Sequence, residues 1–364
     1  MKAHAAKIWF RPIPHVPETA LAFLPARDAR IRLVPIDNAP GRRRNEVSLV
    51  TERARPVLAV ICPVYNEQQA IPLFFDRLQP VVAGLARRYL VRLVFLNNAS
   101  RDGTLEQIDQ VRTRFPETYR ISMSRNVGYQ ASLDCGIRTI DADLFVIIDV
   151  DCEDPPEMIA QFIEEHEQGF DIVYGERVDR PEPTAIKTGR KIFYRLLQRI
   201  SDDDIILDMA EFSLFTAEVR DAIIDDRSSF PFIRASIGRV GFRRKAIAFT
   251  RQRRIAGETH YNLLGMSIFA IAGLLSASTL LLRLPIYTLP FWLLTMLGLG
   301  VAAIIAQSAW LALAGLLLFA GYVGATVAFV ALYVARAYKN GLHRPNAIID
   351  RKRSALPPCR IAAG

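Results

Sequence analysis

The feature that most constrains this chain is a long uncharged stretch near its C-terminal end. No charged residue occurs between Leu284 and Ala335. A helix needs about 20 predominantly apolar residues to cross the hydrocarbon core of a bilayer, so this stretch is long enough for two such helices. We expect spans over about residues 285–305 and 310–335, joined near Gln307. The sequence therefore predicts an integral membrane protein with a large polar N-terminal part.

A further apolar segment, residues 262–282, precedes the two expected spans and is itself long enough to cross a bilayer. The tail, residues 337–364, is strongly basic, and basic segments next to membrane spans stay in the cytoplasm. The polar part of the chain is also basic next to the membrane, so both flanks are cytoplasmic only if the number of spans is even. We therefore interpret residues 256–283 as a juxtamembrane amphipathic helix and residues 284–336 as two transmembrane helices.

Charge and cysteine content exclude several classes of protein. The formal net charge of +9 fits contact with anionic membrane lipid. No zinc-finger spacing or RNA-binding motif accompanies the charge, so we expect no nucleic-acid partner. The cysteines lie far apart and form no C-x-x-C pair, which is typical of a reducing compartment and gives no sign of a disulfide framework or a zinc site. They are Cys62, Cys135, Cys152 and Cys359.

Between residues 56 and 255, segments with strand and helix patterns alternate. Short apolar runs predict strands, and longer amphipathic runs predict helices. This order predicts an α/β domain with a mainly parallel sheet and helices on both faces, in which ligands bind beyond the carboxyl ends of the strands. Residues 1–55 are rich in Arg and Pro, and we interpret them as a basic extension that is loosely or partly ordered. The predicted strands cover residues 57–66, 91–97, 119–124, 144–151 and 171–177.

Four carboxylates follow the fourth predicted strand within six positions: Asp149, Asp151, Glu153 and Asp154. Like charges this close repel one another, and each is costly to hold near an apolar strand end. Alternation along a strand sends Asp149 and Asp151 to the same side, where a hard divalent cation such as Mg²⁺ or Mn²⁺ would offset their charge. For Asp154 the alternative is a cap on a helix that starts at Pro155.

Five segments occur in a recognisable order: "CPVYNE" (62–67), "NNASRDGT" (97–104), "SRNVGYQASLDCGI" (124–137), "DVDCEDPPE" (149–157) and "VYGERVDR" (173–180). Together they resemble the family 2 glycosyltransferases. A sixth segment, "RIAGETHYN" (254–262), is similar to one found in the branch that uses polyprenyl phosphates, which includes dolichyl-phosphate mannose synthase and the bacterial bactoprenol glucosyltransferases. The resemblance covers roughly residues 57–282, and the membrane hairpin with its basic tail also fits that branch.

The resemblance implies a GT-A fold in which a metal ion bridges the diphosphate of a nucleotide-sugar. Asp151 would be the principal ligand, with Asp149 near the sugar or the metal and Glu153 as an extra ligand. Glu211 in "AEFSLF" stands where relatives have Asp and would help to place the acceptor. The bacterial branch favours a UDP-sugar over a GDP-sugar, with glucose as the sugar.

The positions that match the family's nucleotide-sugar pocket are Pro63, Tyr65, Glu67, Asn97, Asn98, Arg125 and Asn126. Relatives often carry carboxylates where this chain has Asn97 and Asn98. An amide can donate to a base edge as well as accept from it, but it lacks the carboxylate's charge. The identity of the base is therefore left open by these two positions.

The resemblance also implies a lipid phosphate as the acceptor. A phosphate monoester is already largely dianionic at neutral pH, so it needs cations to hold it more than a general base to activate it. The candidate cations are Arg177, Arg180, Lys187 and Arg254. Several of the basic side chains between residues 187 and 200 recur every four residues on a partly apolar segment, which also fits a helix lying on the membrane surface.

We therefore expect a metal-dependent, inverting transferase at the cytoplasmic face of the membrane, with lipid contacts and with a homo-oligomer left open. One alternative is a processive or sphingolipid glycosyltransferase of the same fold. That class carries a Q-x-x-R-W segment, and no Trp here follows an Arg. The other alternative is a membrane scaffold that binds a nucleotide-sugar without turning it over, which the changes at Asn97, Asn98 and Glu211 would allow.

Overall fold

The computed structural model describes residues 29–35, 47–53, 55–177, 206, 209–226, 228, 231–256 and 278–358. The chain divides into two units, Met1–Arg55 and Pro56–Gly364. In the first unit, strand β1 (Ala29–Pro35) pairs antiparallel with strand β2 (Val47–Arg53). No strand is expected from the sequence of this extension, because its many Arg and Pro residues outweigh two short runs in which polar and apolar residues alternate.

The second unit is built on a seven-stranded sheet with the order β5-β4-β3-β6-β8-β7-β9. Strands β5, β4, β3 and β6 run parallel to one another, and β7 runs parallel to β9. The strands are β3 (Val57–Val64), β4 (Leu90–Asn97), β5 (Thr118–Ser122), β6 (Leu144–Ile147), β7 (Ile172–Arg177), β8 (Met209–Thr216) and β9 (Arg244–Phe249).

Helices cover both faces of this sheet. Every residue of β3 is buried, because alternate side chains enter two separate cores: Val60 and Cys62 lie in one, and Ala59 and Ile61 lie in the other. Continuous burial of this kind is typical of a central parallel strand. The first core includes side chains of α1 (Ala70–Leu85), α2 (Thr104–Arg114) and α4 (Met158–Glu167); the second includes those of α3 (Tyr129–Thr139), α5 (Ala217–Ile224) and α6 (Ile233–Arg239).

Strand β8 changes the order that the sequence suggests. The fifth predicted strand, β7, does not lie beside β6, because β8 is inserted between them and pairs antiparallel with both. In this register Ile147 at the end of β6 lies opposite Ser213. The next positions along the two chains therefore bring Glu211 towards Asp149, the first acidic residue beyond β6. The expected α/β architecture with a mostly parallel sheet is confirmed, with this one antiparallel insertion.

Two long apolar helices follow the sheet domain and form a hairpin. Helix α7 (Leu280–Ile305) and helix α8 (Ala309–Gly341) are long and apolar enough to cross a membrane, by length and composition, and none of the most apolar part of either is buried. The ring centroids of Trp292 and Tyr322 lie 4.9 Å apart, and the Tyr322 hydroxyl donates to the Pro285 carbonyl at 2.6 Å. The expected two-helix hairpin is thus observed, and its exposed apolar surface suggests membrane anchoring.

The chain returns to the sheet after the hairpin. Isolated antiparallel bridges join Met123 to Ile349 and Arg120 to Ala355, so the segment beyond α8 lies along β5, the edge strand. From the sequence, residues 337–364 are expected to form a basic tail, with no contact to the sheet. The juxtamembrane helix expected within residues 256–283 falls mostly on residues 257–277, which lie outside the described part of the chain.

Candidate active site

Three parallel strands end at the same edge of the sheet, and their loops form the candidate site. The chain leaves β3 at Val64, β4 at Asn97 and β6 at Ile147. One non-glycine residue in each following loop has a positive φ: Asn66 at 56°, Ala99 at 59° and Cys152 at 55°. Such conformations are uncommon for residues other than glycine and cluster at functional sites. The edge is the one that the β-α alternation predicts for ligand binding.

Backbone donors of the first loop are satisfied by side chains of the second. Asn66 N–H donates to the Ser100 hydroxyl at 3.0 Å, and Glu67 N–H donates to the Thr104 hydroxyl at 2.9 Å. Pro63 is buried within β3, and Tyr65 follows the strand as a half-buried side chain. Side chains of the neighbouring loop therefore hold the loop that carries the predicted nucleotide residues.

The two adjacent amides, Asn97 and Asn98, make internal hydrogen bonds. Asn97 is buried. Its side-chain oxygen accepts from Ser100 N–H at 3.0 Å, and its side-chain nitrogen donates to the Ser122 hydroxyl at 3.3 Å. Asn98 donates to the Asn126 side-chain oxygen at 2.9 Å. The oxygen of Asn98 accepts from the backbone N–H of Val127 at 2.8 Å. These contacts tie the loop after β4 to the start of α3.

Asp149 lies between α3 and β8. The Tyr129 hydroxyl, on the first turn of α3, donates to one oxygen of Asp149 at 2.8 Å. Next to it, Gln130 donates to Glu211 at 3.0 Å and accepts from the backbone N–H of Ile233 at 3.0 Å. Neither Tyr129 nor Gln130 is singled out by the sequence analysis, although both belong to the "SRNVGYQASLDCGI" segment. Their position on the first helical turn after a glycine is the signal that could have identified them.

Asp151 is buried, and each of its carboxylate oxygens has a partner. One oxygen accepts from Glu153 N–H at 3.0 Å, and the other lies 3.0 Å from a guanidinium nitrogen of Arg254. Arg254 also lies 3.6 Å from Glu67, so it bridges the loops after β3 and β6. The backbone N–H of Ile255 donates to the Asp151 carbonyl at 2.9 Å, which fastens this arginine-bearing segment to the acidic loop.

The remaining two acids of the loop also face arginines. Glu153 forms an ion pair with Arg251. Asp154 is buried, and both of its oxygens accept from one nitrogen of Arg177, at 3.2 and 3.1 Å. The alternative in which Asp154 caps a helix starting at Pro155 is wrong: α4 begins at Met158 and has no side-chain cap.

Burial dominates the electrostatics of this cluster. Burial, together with the nearby charges of Asp151 and Asp154, raises the pKa of Asp149 to about 7. Burial likewise raises the pKa of Glu67 to about 7, against the opposing effect of Arg254. The pKa values of Asp151, Asp154 and Glu211 are also raised, again mainly by burial. The neighbouring arginines therefore offset only part of the cost of holding these carboxylates ionised.

The acidic loop supplies oxygen ligands only, which is the chemistry of a site for Mg²⁺ or Mn²⁺. Across the described residues, no three His, Cys, Asp or Glu side chains already surround one point as a metal site. The Tyr129 hydroxyl donates to only one of the two Asp149 oxygens, and burial makes the ionised form of this carboxyl costly, a cost that a bound cation would offset. Asp149 and Asp151 thus fit a divalent cation that takes its other ligands from elsewhere.

The structure brings most of the predicted site residues to this one edge of the sheet. Arg125 is exposed beside Asn126 and makes no hydrogen bond or ion pair with the other described residues. Arg177 and Arg254 are both engaged with carboxylates of the acidic loop. Two further predicted cations, Arg180 and Lys187, lie outside the described residues.

Comparison with known proteins supports the interpretation of these motifs. A family model described as glycosyl transferase family 2 matches residues 59–224. The uncharacterized glycosyltransferase YkcC of Bacillus subtilis (strain 168) is 30% identical over 302 residues, which cover 80% of this chain and 93% of that protein. The bactoprenol glucosyl transferase of Shigella phage SfV is 29% identical over 318 residues, which cover 81% of this chain and 99% of that protein.

Among solved structures, glucosyl-3-phosphoglycerate synthase from Mycobacterium tuberculosis, in complex with Mn²⁺, UDP and glucosyl-3-phosphoglycerate, is 17% identical with a TM-score of 0.42. The match covers 61% of this chain and 79% of that one. The resemblance read from the motifs is confirmed: the chain belongs to glycosyltransferase family 2, with a GT-A-like fold.

Proposed function

We propose that this glycosyltransferase transfers glucose from UDP-glucose to a polyprenyl phosphate at the cytoplasmic face of a membrane. The observation that carries the proposal is the cluster of buried carboxylates at Asp149 and Asp151, in a chain that also carries an apolar hairpin. The similarity to a phage bactoprenol glucosyl transferase over most of both chains supports the choice of sugar and of lipid.

On the donor side, Asp151 and Asp149 are the residues that would hold a Mg²⁺ or Mn²⁺ ion shared with the diphosphate. The ion would supply positive charge to the leaving diphosphate, which is the usual contribution of a Lewis acid in group transfer. Arg125 is exposed shortly before α3 begins, and its guanidinium would bind the diphosphate oxygens. Glu67 and Tyr65 lie on the neighbouring loop, where they would contact the nucleoside.

On the acceptor side, the proposal needs cations and not a general base. A phosphate monoester is largely dianionic at neutral pH and can attack the sugar directly, with the diphosphate leaving from the opposite face. The anomeric carbon is then inverted in a single displacement, without a covalent enzyme intermediate. Arg177 supports this role, because its Nε is buried and has no hydrogen-bond partner among the described residues, while its other end holds Asp154. Glu211 lies beside Asp149 and would help to orient the two substrates.

Transfer from labelled donors tests the proposal directly. Membranes that contain the protein are incubated with labelled UDP-sugars or GDP-sugars and undecaprenyl phosphate, with Mg²⁺, with Mn²⁺ or with a chelator. We expect label from UDP-glucose in an organic-extractable product, and only when a divalent cation is present. Undecaprenol, which lacks the phosphate, is the matched control and should accept no sugar. Absence of product from every donor, or transfer that is indifferent to chelation, contradicts the proposal.

The described end of the chain supports a cytoplasmic location for both flanks of the hairpin. Because residues beyond α8 are hydrogen-bonded to β5, they would lie on the same side of a membrane as the sheet domain when α7 and α8 span it. A hairpin of two spans satisfies this requirement, and a third span would violate it. Basic residues of the returning segment, such as Arg344 and Lys352, then follow the positive-inside rule.

A cysteine placed in the turn of the hairpin tests this topology. We expect Gln307→Cys, in a chain that also carries Cys359→Ser, to react with a membrane-impermeant maleimide added outside intact cells. Lys352→Cys in the same background should react only after the cells are permeabilised. Equal labelling of the two cysteines in intact cells, or protection of residue 307 throughout, means that α7 and α8 do not form a spanning hairpin.

A further inference from the structure

The segment that follows the hairpin is hydrogen-bonded along the outer edge of the sheet. We call residues 346–358 the C-terminal strap. The backbones of Arg120 and Ala355 exchange two hydrogen bonds of 3.0 and 2.9 Å, Ser124 N–H donates to the Ile348 carbonyl at 2.8 Å, and Asp350 N–H donates to the Ser122 carbonyl at 2.8 Å. An edge strand exposes a row of unpaired backbone groups, and the strap satisfies those of β5. Edge protection alone would account for these backbone contacts.

Side chains extend the contact from the strap into the sheet. The backbone N–H of Ser122 donates to the Ser354 hydroxyl at 2.9 Å, and the Ser122 hydroxyl donates to the Arg353 carbonyl at 2.9 Å. The Ser122 oxygen also accepts from the Asn97 amide at 3.3 Å. Ser122 is fully buried, and Asn97 is nearly so. The Ser122 hydroxyl therefore donates a hydrogen bond to the strap and accepts one from the candidate site.

The same chain of hydrogen bonds continues into the loops of the candidate site. Asn97 accepts from Ser100 N–H at 3.0 Å, and the Ser100 hydroxyl accepts from Asn66 N–H at 3.0 Å. Asn66 and Ala99 both have positive φ values, so the two turns need tertiary contacts to keep their conformations. The residue after Asn66 is Glu67, which takes part in the ion pairs around Arg254.

We propose that the C-terminal strap positions the nucleotide-binding loops through Ser122 and thereby sets the affinity for the donor. Ser122 and Ser354 are positioning residues: they touch no substrate and act on the site through Asn97. The strap begins a few residues beyond the end of α8, so the membrane hairpin and the donor pocket are joined by a short, hydrogen-bonded path. The inference rests on the proposed function, because it assigns the loops at Asn66 and Asn97 to a nucleoside diphosphate.

The test measures binding of UDP, and of GDP in parallel, to the purified full-length protein in the presence of Mn²⁺. We expect Ser122→Ala to raise the Kd for UDP, and the KM for the donor, about tenfold, because the Asn97 amide loses a buried acceptor. The value of kcat at saturating donor should stay within about twofold, since no group that touches the reacting atoms has changed.

A variant of the strap itself provides a second test in case the buried Ser122→Ala variant does not fold. Ser354 is only partly buried, so Ser354→Ala removes the acceptor of Ser122 N–H from the strap side, and Ser354→Thr restores a hydroxyl there. We expect a weaker Kd for UDP in Ser354→Ala and rescue in Ser354→Thr. Lys352→Ala, an exposed change in the same strap, is the matched control and should bind UDP as the wild type does.

The possible failures of the two proposals give different results. Wild-type protein that binds neither UDP nor GDP contradicts the proposed function and the strap inference with it. Wild-type protein that binds UDP, with unchanged Kd in both Ser122→Ala and Ser354→Ala, contradicts the strap inference alone. In that case a lower melting temperature in these variants would mean that the strap only covers the edge of the sheet.

Discussion

Asp151→Asn is expected to lower the rate of sugar transfer at least about 100-fold while leaving the protein folded. A divalent cation at a leaving diphosphate contributes several kcal/mol, and each 1.36 kcal/mol corresponds to a tenfold change in rate. Asp151 is the acid of the loop whose oxygens are held by Arg254 and by the backbone N–H of Glu153, so its carboxylate has a defined direction. An amide keeps much of that geometry but loses the charge that a cation requires.

Two readouts separate loss of the metal site from loss of the fold. The first is kcat at saturating donor, and the second is Mn²⁺ binding in the presence of UDP, which should weaken in parallel with the rate. Glu157→Gln is the matched control, because it removes one charge from the same segment at an exposed position that pairs with Arg77. Exposed ion pairs contribute little, so this variant should stay within about twofold of the wild-type rate. Full activity in Asp151→Asn would refute the assignment of the acidic loop.

The position of Glu211 shows what a single sequence does not encode about this fold. Local periodicity identifies β6 and β7 as strands but carries no information on which strand lies between them. Strand β8 is brought next to β6 by pairing across more than sixty residues, and its antiparallel register is what carries Glu211 towards Asp149. The motif segment alone therefore predicts that residue 211 matters, while the tertiary pairing supplies the reason for its location.

The two amides illustrate the same limit at the level of side chains. Their type and their place at the end of β4 follow from the sequence, and the structure puts them at the expected edge. Their partners do not follow, because Ser122 and Asn126 reach them only through the β4–β5 pairing and the start of α3. The strap was missed for a related reason: a short basic segment with two isoleucines has no periodicity strong enough to predict a strand contact.

Without divalent cations, the protein is expected to lose stability as the pH rises from about 5 to 8. Burial raises the pKa of Asp149 to about 7 and that of Glu67 to about 7, whereas both groups titrate near 4 in an unfolded chain. Between those values the folded state binds more protons than the unfolded state, so the free energy of unfolding falls with increasing pH. The fall ends above the folded-state pKa values, where both states have lost these protons.

Asp149→Asn removes one of these protonation differences while also removing a candidate metal ligand. We expect its apparent Tm, measured in chelator and detergent, to fall less than that of the wild type between pH 5 and pH 8. The corresponding loss in the free energy of unfolding should be smaller than that of the wild type by about 1 to 3 kcal/mol. The sugar-transfer rate of the same variant should be strongly reduced.

Mn²⁺ with UDP should raise the wild-type Tm at pH 8, since a ligand that binds only the folded state stabilises it. The same ligands should raise the Tm of Asp149→Asn much less. Asp76→Asn, a change at an exposed acid on α1, is the control and should follow the wild-type pH profile. A wild-type Tm that stays constant or rises from pH 5 to pH 8 in chelator would mean that the acidic loop is already neutralised by the protein, and that it has no need of a cation.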